Sequence, residues 1–309
     1  MARRIRSLND IVETVREYGS PPRVAVARSA EGFVLEAAVQ AAEAGIARPI
    51  LVGDPERTQE VADSLGLDIS AFESITALTD EEAVQTAVRL FREGRADLIM
   101  KGLVSTATIL KAVLNKETGV PPAQGILSHV TVFESPRDGR LTLLADAGVN
   151  IKPTLQRKID ILKNTLEVAR RLGIERPRCA LLAATEKVNY PAMPATMEAD
   201  VISRMAEQGE FGDALVAGPL SLDLALSPES ASCKGVEGPV AGCADLLLTP
   251  DIESGNILYK TLATLCAIPL ASVVVGSRVP VVVPSRADTP QSKFHSMALA
   301  AYLAPTETT

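Results

Sequence analysis

Ala244-Asp-Leu-Leu-Leu-Thr-Pro-Asp-Ile-Glu-Ser-Gly-Asn-Ile-Leu-Tyr-Lys260 is the stretch whose reading decides the fold. Leu246 to Leu248 is a short apolar run bounded by turn residues, as in a strand buried on both faces. Thr249-Pro250-Asp251 stops it, because proline has no N–H to give the ladder. Ser254-Gly255-Asn256 predicts a tight turn and a helix start, and Ile257 to Leu265 has the spacing of a helix packed on a sheet. A helix that opens after a glycine turn presents N–H groups and a positive dipole end, which suits phosphate, and Lys260 one turn further in adds a full charge. The same spacing also fits an ordinary strand–loop–helix unit with a solvated lysine, and both readings stay open.

Working outward, strand and helix alternate along the chain. An opening helix places Ile11, Val12, Val15 and Tyr18 on one face, and Ser7 with Asp10 resembles a capping box. Strands at 23–27, 49–52, 72–78 and 97–100 then alternate with helices at 32–44, 56–65, 81–93 and 105–114, which predicts a parallel sheet covered on both faces. Neither a G-x-G-x-x-G nor a P-loop pattern occurs in this region. The strand at 97–100 runs into Lys101 and Gly102, and Ser105 or Thr106 can cap the next helix. Ligands of open parallel sheets sit beyond the carboxyl ends of strands, so Lys101 is placed to meet an anion, although a strand-end lysine also suits a structural role.

Gly119-Val-Pro-Pro-Ala-Gln-Gly125 is a break fit for a domain crossing. Two strands, 129–133 and 140–145, flank Pro136-Arg-Asp-Gly139 with no helix between them, which predicts antiparallel pairing in a mixed sheet. A long helix at 154–172, a strand at 179–184, a helix at 193–207 and a strand at 214–217 lead to the opening stretch. Strands at 271–275 and 281–283 and a last helix at 290–302 follow, with fraying expected from Thr306 onward.

The composition narrows the function. The chain has 309 residues, 47% of them hydrophobic, a length and composition that fit two ordinary domains with large cores. A net charge of −7 without a basic block argues against a nucleic-acid partner, but leaves room for a small anion held by a few local charges. Cys179, Cys233, Cys243 and Cys266 show no metal spacing and read as buried thiols of a reducing cytosol. Two histidines, His129 and His295, are too few for a histidine-based metal centre, so no catalytic metal is expected. The basic Met1-Ala-Arg-Arg start has no apolar run behind it, and no stretch approaches the ~20 residues that span a bilayer. A cytoplasmic protein without membrane contact is expected.

Several segments together resemble the phosphate acetyltransferase/phosphate butyryltransferase family. They are Met100-Lys-Gly-Leu-Val-Ser-Thr, Ser128-His-Val-Thr-Val-Phe, Ala145-Asp-Ala-Gly-Val-Asn and Ala184-Thr-Glu-Lys-Val-Asn. Gly218-Pro-Leu-Ser-Leu-Asp, Gly238-Pro-Val-Ala-Gly, the opening stretch and Val283-Pro-Ser-Arg-Ala-Asp288 follow in family order. The resemblance implies two α/β domains with a central cleft, similar to the isocitrate/isopropylmalate dehydrogenase fold. The first domain would hold residues 1–128 plus 279–309, and the second 129–278. It further implies transfer of a short acyl group, acetyl or butyryl, between coenzyme A and inorganic phosphate in a ternary complex. Coenzyme A is then a substrate, no tightly bound cofactor is needed, and a homodimer is the usual assembly.

Carried onto this chain, the family pattern makes Ser285 the oxyanion donor and Arg286 the phosphate clamp. Arg286 follows an apolar strand, where an unpartnered charge is costly, and this favours a functional role. In acetyltransferase members an aspartate seven residues after the serine is the proposed base; here Ser292 stands there, with Asp288 as the nearest substitute. Asp288 equally suits capping of the last helix near Thr289. Substrate and phosphate contacts fall to Lys101, Gly102, Ser105, Thr106, Asn150, Lys187, Gly255, Asn256 and Lys260. Rival readings are an acyl-phosphate synthase of phospholipid synthesis and a non-catalytic sensor domain of the same fold. The intact Ser285-Arg286 pair favours an enzyme.

Overall fold

The computed structural model describes residues 4–304, so the fraying expected from Thr306 onward lies outside the described residues. Among these residues the chain divides into two compact units, one of 8–124 with 269–304 and the other of 4–7 with 125–268.

The first unit opens with helix α1 (Leu8–Arg16), whose Leu8, Ile11, Val12 and Val15 are buried as their spacing requires. Strands β1 (Arg23–Ala27), β2 (Arg48–Gly53), β3 (Glu73–Thr76) and β4 (Leu98–Lys101) alternate with helices α2 (Gly32–Glu43), α3 (Pro55–Leu65), α4 (Asp80–Arg92) and α5 (Thr106–Val113). All pairings among these strands are parallel, in the order β3-β2-β1-β4. The helix ends follow local chemistry. Asp54 caps α3 with Pro55 at its first position, Thr79 and Glu82 form a capping box on α4, and Ser105 caps α5.

The second unit holds β5 (Ser128–Glu134), β6 (Leu141–Ala145), α6 (Leu155–Arg171), β7 (Arg178–Leu182), α7 (Pro194–Glu207) and β8 (Leu215–Leu220). Two short helices not anticipated from sequence, α8 (Leu222–Leu226) and α9 (Pro228–Cys233), precede β9 (Leu246–Leu248) and α10 (Ile252–Lys260). β5 and β6 pair antiparallel as expected, and the remaining pairings are parallel in the order β6-β9-β7-β8. The expected strand at 214–217 runs further, to Leu220.

The expected helix start at 254–256 is corrected: α10 begins at Ile252, directly after Pro250-Asp251. The Asp251 carboxylate accepts the Ser254 N–H at 2.9 Å, so the cap lies one turn earlier than the glycine suggested. Lys260 is therefore the last residue of α10, two turns from the helix start, and a π-helical turn, Thr261–Leu265, continues the helix. The cysteine reading is corrected as well. Cys179 is buried and its thiol is pushed up by desolvation, whereas Cys233 and Cys266 are exposed.

The chain then returns to the first unit as β10 (Leu270–Val275), β11 (Val281–Val282) and α11 (Pro290–Leu303). β11 pairs parallel with β4 and antiparallel with β10. α11 is buried around nearly its whole circumference, packed on β10, α1 and α2, which fits a helix without a polar face. Two of its serines fasten it to β10, the Ser292 and Ser296 hydroxyl oxygens accepting the N–H groups of Leu270 at 3.1 Å and Ser272 at 2.8 Å.

The two units share one device. Arg23, at the start of β1, gives its main-chain N–H, Nε and Nη2 to the carboxylate of Asp97 opposite, at 2.7, 3.0 and 2.9 Å. Arg178, at the start of β7, does the same to Asp245 at 3.0, 2.9 and 2.8 Å. In both cases the aspartate returns its N–H to the arginine carbonyl at 2.8 Å. Among the described residues no helix is long and apolar enough to cross a membrane.

Candidate functional site

In the first unit, β4 and β11 run side by side with Val282 opposite Met100, so the chain leaves both strands at the same carboxyl edge. β4 delivers Lys101 there, half-buried, with its ammonium donating to the carbonyls of Val104 at 3.1 Å and Gly102 at 3.3 Å. Burial pulls the Lys101 pKa down, Glu31 opposes this, and Arg286 adds to it. Gly102 lets its loop approach β1: a Cβ there would lie 2.1 Å from the Arg28 carbonyl oxygen. Ser105 accepts the Thr108 N–H at 3.0 Å and Thr106 opens α5, so both serve the helix start.

Beyond β11 comes Ser285-Arg286-Ala-Asp288. Asp288 accepts the Ser285 N–H on its carboxylate at 2.7 Å and closes a tight turn. The expectation that Asp288 caps the last helix is corrected, since Thr289 does so by accepting the Ser292 N–H at 3.1 Å. The expectation drawn for Arg286 from its apolar strand is also corrected. β11 is buried, but the Arg286 side chain is 78% exposed, four residues past the strand, with Glu31 Oε1 at 3.9 Å from its Nε. Glu31, just before α2, is thus the carboxylate shared by Lys101 and Arg286. Ser292 is buried and fixed to β10, which leaves its hydroxyl no part at this edge.

Sequence reading missed Lys293, which is 2% exposed on the first turn of α11. Its ammonium donates to the carbonyls of Asp288 at 2.5 Å and Arg286 at 3.4 Å, and lies 4.7 Å from the centre of the Phe33 ring. Burial lowers its pKa against the pull of Asp288, Glu31 and Glu36. No local signal marked it, since α11 also carries Gln291, Ser292, His295 and Ser296. A cavity of about 160 Å³ opens at the same sheet edge, its lining including Arg28, Arg57, Asp54, Gly53 and Leu103.

In the second unit, Asn150, Gly255 and Asn256 gather around Asp146. The Asp146 carboxylate is buried and accepts from the N–H groups of His129, Gly148 and Val149 and from the Asn150 amide. Asn150 Nδ2 also donates to the Leu127 carbonyl at 2.8 Å, so its amide donors serve the turn. Gly255, inside α10, is required by packing: a Cβ would sit 2.2 Å from the Asp146 carbonyl oxygen. Asn256 donates to the Ala147 carbonyl at 3.0 Å. Lys187 is exposed in the turn after β7, and the Lys260 ammonium lies 4.9 Å from the centre of the Tyr259 ring. Among the described residues no three His, Cys, Asp or Glu side chains come together to hold a metal ion.

The sequence matches the family model for phosphate acetyl/butaryl transferase over residues 7–90 and 78–301. It is 44% identical to the phosphate butyryltransferase of Clostridium acetobutylicum, over 97% of this chain and 99% of that one. Its structure is similar to that of a branched-chain phosphotransacylase from Enterococcus faecalis, with a TM-score of 0.79 and 34% identity over 91% of this chain and 98% of that one. The fold is shared with a 4-hydroxythreonine-4-phosphate dehydrogenase from Burkholderia phymatum, with a TM-score of 0.52 and 16% identity over 94% of this chain and 100% of that one.

Proposed function

The chain belongs to the phosphate acetyl/butaryl transferase family, and on that footing we propose that its carboxyl edge of β4 and β11 carries acyl transfer between coenzyme A and inorganic phosphate. The observation that supports this most directly is the convergence of Lys101 and Arg286, from neighbouring parallel strands, with Ser285 beside them. In the reaction a thiolate adds to the carbonyl carbon of an acyl phosphate and forms a C–S bond. The tetrahedral oxyanion then collapses, the C–O bond to phosphorus-bound oxygen breaks, and phosphate leaves with the electron pair. In reverse, a phosphate oxygen adds to the thioester and the thiolate departs.

In this reading Lys101 and Arg286 hold the phosphate, the exposed guanidinium swinging from Glu31 onto the more highly charged ligand. The Ser285 hydroxyl donates to the oxyanion, a contact of a kind worth ~2.7–4 kcal/mol when it forms only in the transition state. Alignment of the two substrates supplies up to ~7–11 kcal/mol, so no acyl-enzyme is needed. The thiol proton leaves to solvent or phosphate, while Ser292 is fixed to β10 and Asp288 accepts the Ser285 N–H on one of its two oxygens.

The test is direct. Purified protein is given coenzyme A with acetyl, propionyl or butyryl phosphate separately, and thioester absorbance is followed. Turnover with at least one acyl phosphate is expected. No thioester from any of them, with a folded protein, would overturn the reading in favour of a non-catalytic binding role.

A further inference from the structure

We propose that Lys293 is a positioning residue for Arg286, holding the Ser285–Asp288 turn from below so that the guanidinium is delivered to the phosphate. An ammonium has three N–H directions. Two meet the carbonyls of Asp288 and Arg286, at 2.5 and 3.4 Å, and the Phe33 ring lies over the group at 4.7 Å. A cation is thus spent, in a 2% exposed position, on two main-chain oxygens of one loop. Burying a charge is costly unless it is fully solvated by the protein, so its placement needs a reason. An apolar residue could occupy this position in α11, but it would leave those two carbonyls without the ammonium.

The geometry divides the labour at this loop. Asp288 fixes the Ser285 N–H, and Lys293 fixes the Arg286 carbonyl one residue later. Glu31 takes the guanidinium itself. With its main chain held, Arg286 loses less freedom on meeting phosphate, which is how a pre-arranged clamp gains transition-state binding.

The inference rests on the clamp reading of Arg286, and a double-mutant cycle separates the two. Lys293→Met, Arg286→Ala and the double variant are compared for kcat, for KM of phosphate and coenzyme A, and for melting temperature. Lys293→Met is expected to lower kcat by about tenfold in the parent and by less than about threefold in the Arg286→Ala background, because coupled residues lose their effects non-additively. The KM for coenzyme A is expected to stay within about twofold in both backgrounds. Equal losses of kcat in the two backgrounds, or none in the parent, would overturn the inference. Should Lys293→Met not fold, Lys293→Gln carries the same cycle; if neither folds, the ammonium is a requirement of the fold and the inference is overturned. An Arg286→Ala protein with unchanged acyl transfer overturns the clamp reading itself and the inference with it.

Discussion

The carboxylate of Asp288 accepts the main-chain N–H of Ser285 at 2.7 Å, and the Asp288 N–H returns to the Ser285 carbonyl at 3.1 Å. The side chain thus closes the turn that presents Ser285 and Arg286. An asparagine keeps an acceptor oxygen there, and an alanine does not. Asp288→Asn should keep kcat within about threefold, whereas Asp288→Ala should lose ~1–3 kcal/mol of transition-state binding through the unpaired N–H. Steady-state thioester formation reads both. An asparagine variant as impaired as the alanine one would make Asp288 the general base instead.

Arg286 projects from the protein with 78% of its side chain exposed. Arg286→Lys should therefore melt at the same temperature as the parent. Lysine is a point charge without the bidentate fork, so kcat/KM should fall by ~2–4 kcal/mol if the clamp works in the transition state. Measuring both on one preparation decides the matter; unchanged transfer by a stable variant removes Arg286 from the active site.

Gly255 tests the close packing of α10 on Asp146. A glycine in a turn would tolerate alanine, and a glycine in an open helix would gain ~1 kcal/mol from it. Here the new Cβ would meet the Asp146 carbonyl oxygen at 2.2 Å and the Thr249 hydroxyl at 2.8 Å. Gly255→Ala should destabilise by ~1–3 kcal/mol through overpacking, seen as a lower denaturant midpoint. A stabilised variant would show that α10 does not approach the Asp146 carbonyl this closely.

Acid stability should report on Asp97. Burial pushes its carboxyl upward, but hydrogen bonds from the Arg23 side chain and main chain, with the charges of Arg23 and Arg48, outweigh this and hold it below the usual carboxylate range. A depressed folded-state pKa means that the contribution is present above the unfolded value of ~3.9 and is lost as pH falls through the folded value. Asp97→Asn should lower the melting temperature at neutral pH, and the gap to the parent should shrink below about pH 4. A gap that stays constant with pH would exclude the ion pair as its source.

Much of this was legible in the sequence, for physical reasons. The parallel strands β1, β2 and β4 are near-continuous apolar runs between helices of ordinary length, and burial on both faces leaves little other reading; the exposed edge strand β3 followed from the alternation alone. Ser285-Arg286 was legible through the ordered family segments. The start of α10 was misread because Gly255 carries two meanings: glycine marks turns, but also close approach of backbones, and only the distance to Asp146 decides. Lys293 was illegible because a lysine in a terminal helix ordinarily faces water. Its burial depends on α11 being enclosed by β10, α1 and α2, which no local pattern states. Arg286 showed the reverse: its exposure is set by the turn after β11, beyond the reach of the strand's apolar pattern.

The arginine–aspartate corners at Arg23–Asp97 and Arg178–Asp245 specify one strand alignment in the folded protein. Each needs one carboxylate to meet both the main chain and the guanidinium of the arginine directly across from it. Sliding a strand by one residue moves that carboxylate by ~3.3 Å and turns its side chain to the opposite face. No misaligned pairing can therefore assemble the corner, and each unit carries one at the amino ends of a parallel strand pair, β1 with β4 and β7 with β9.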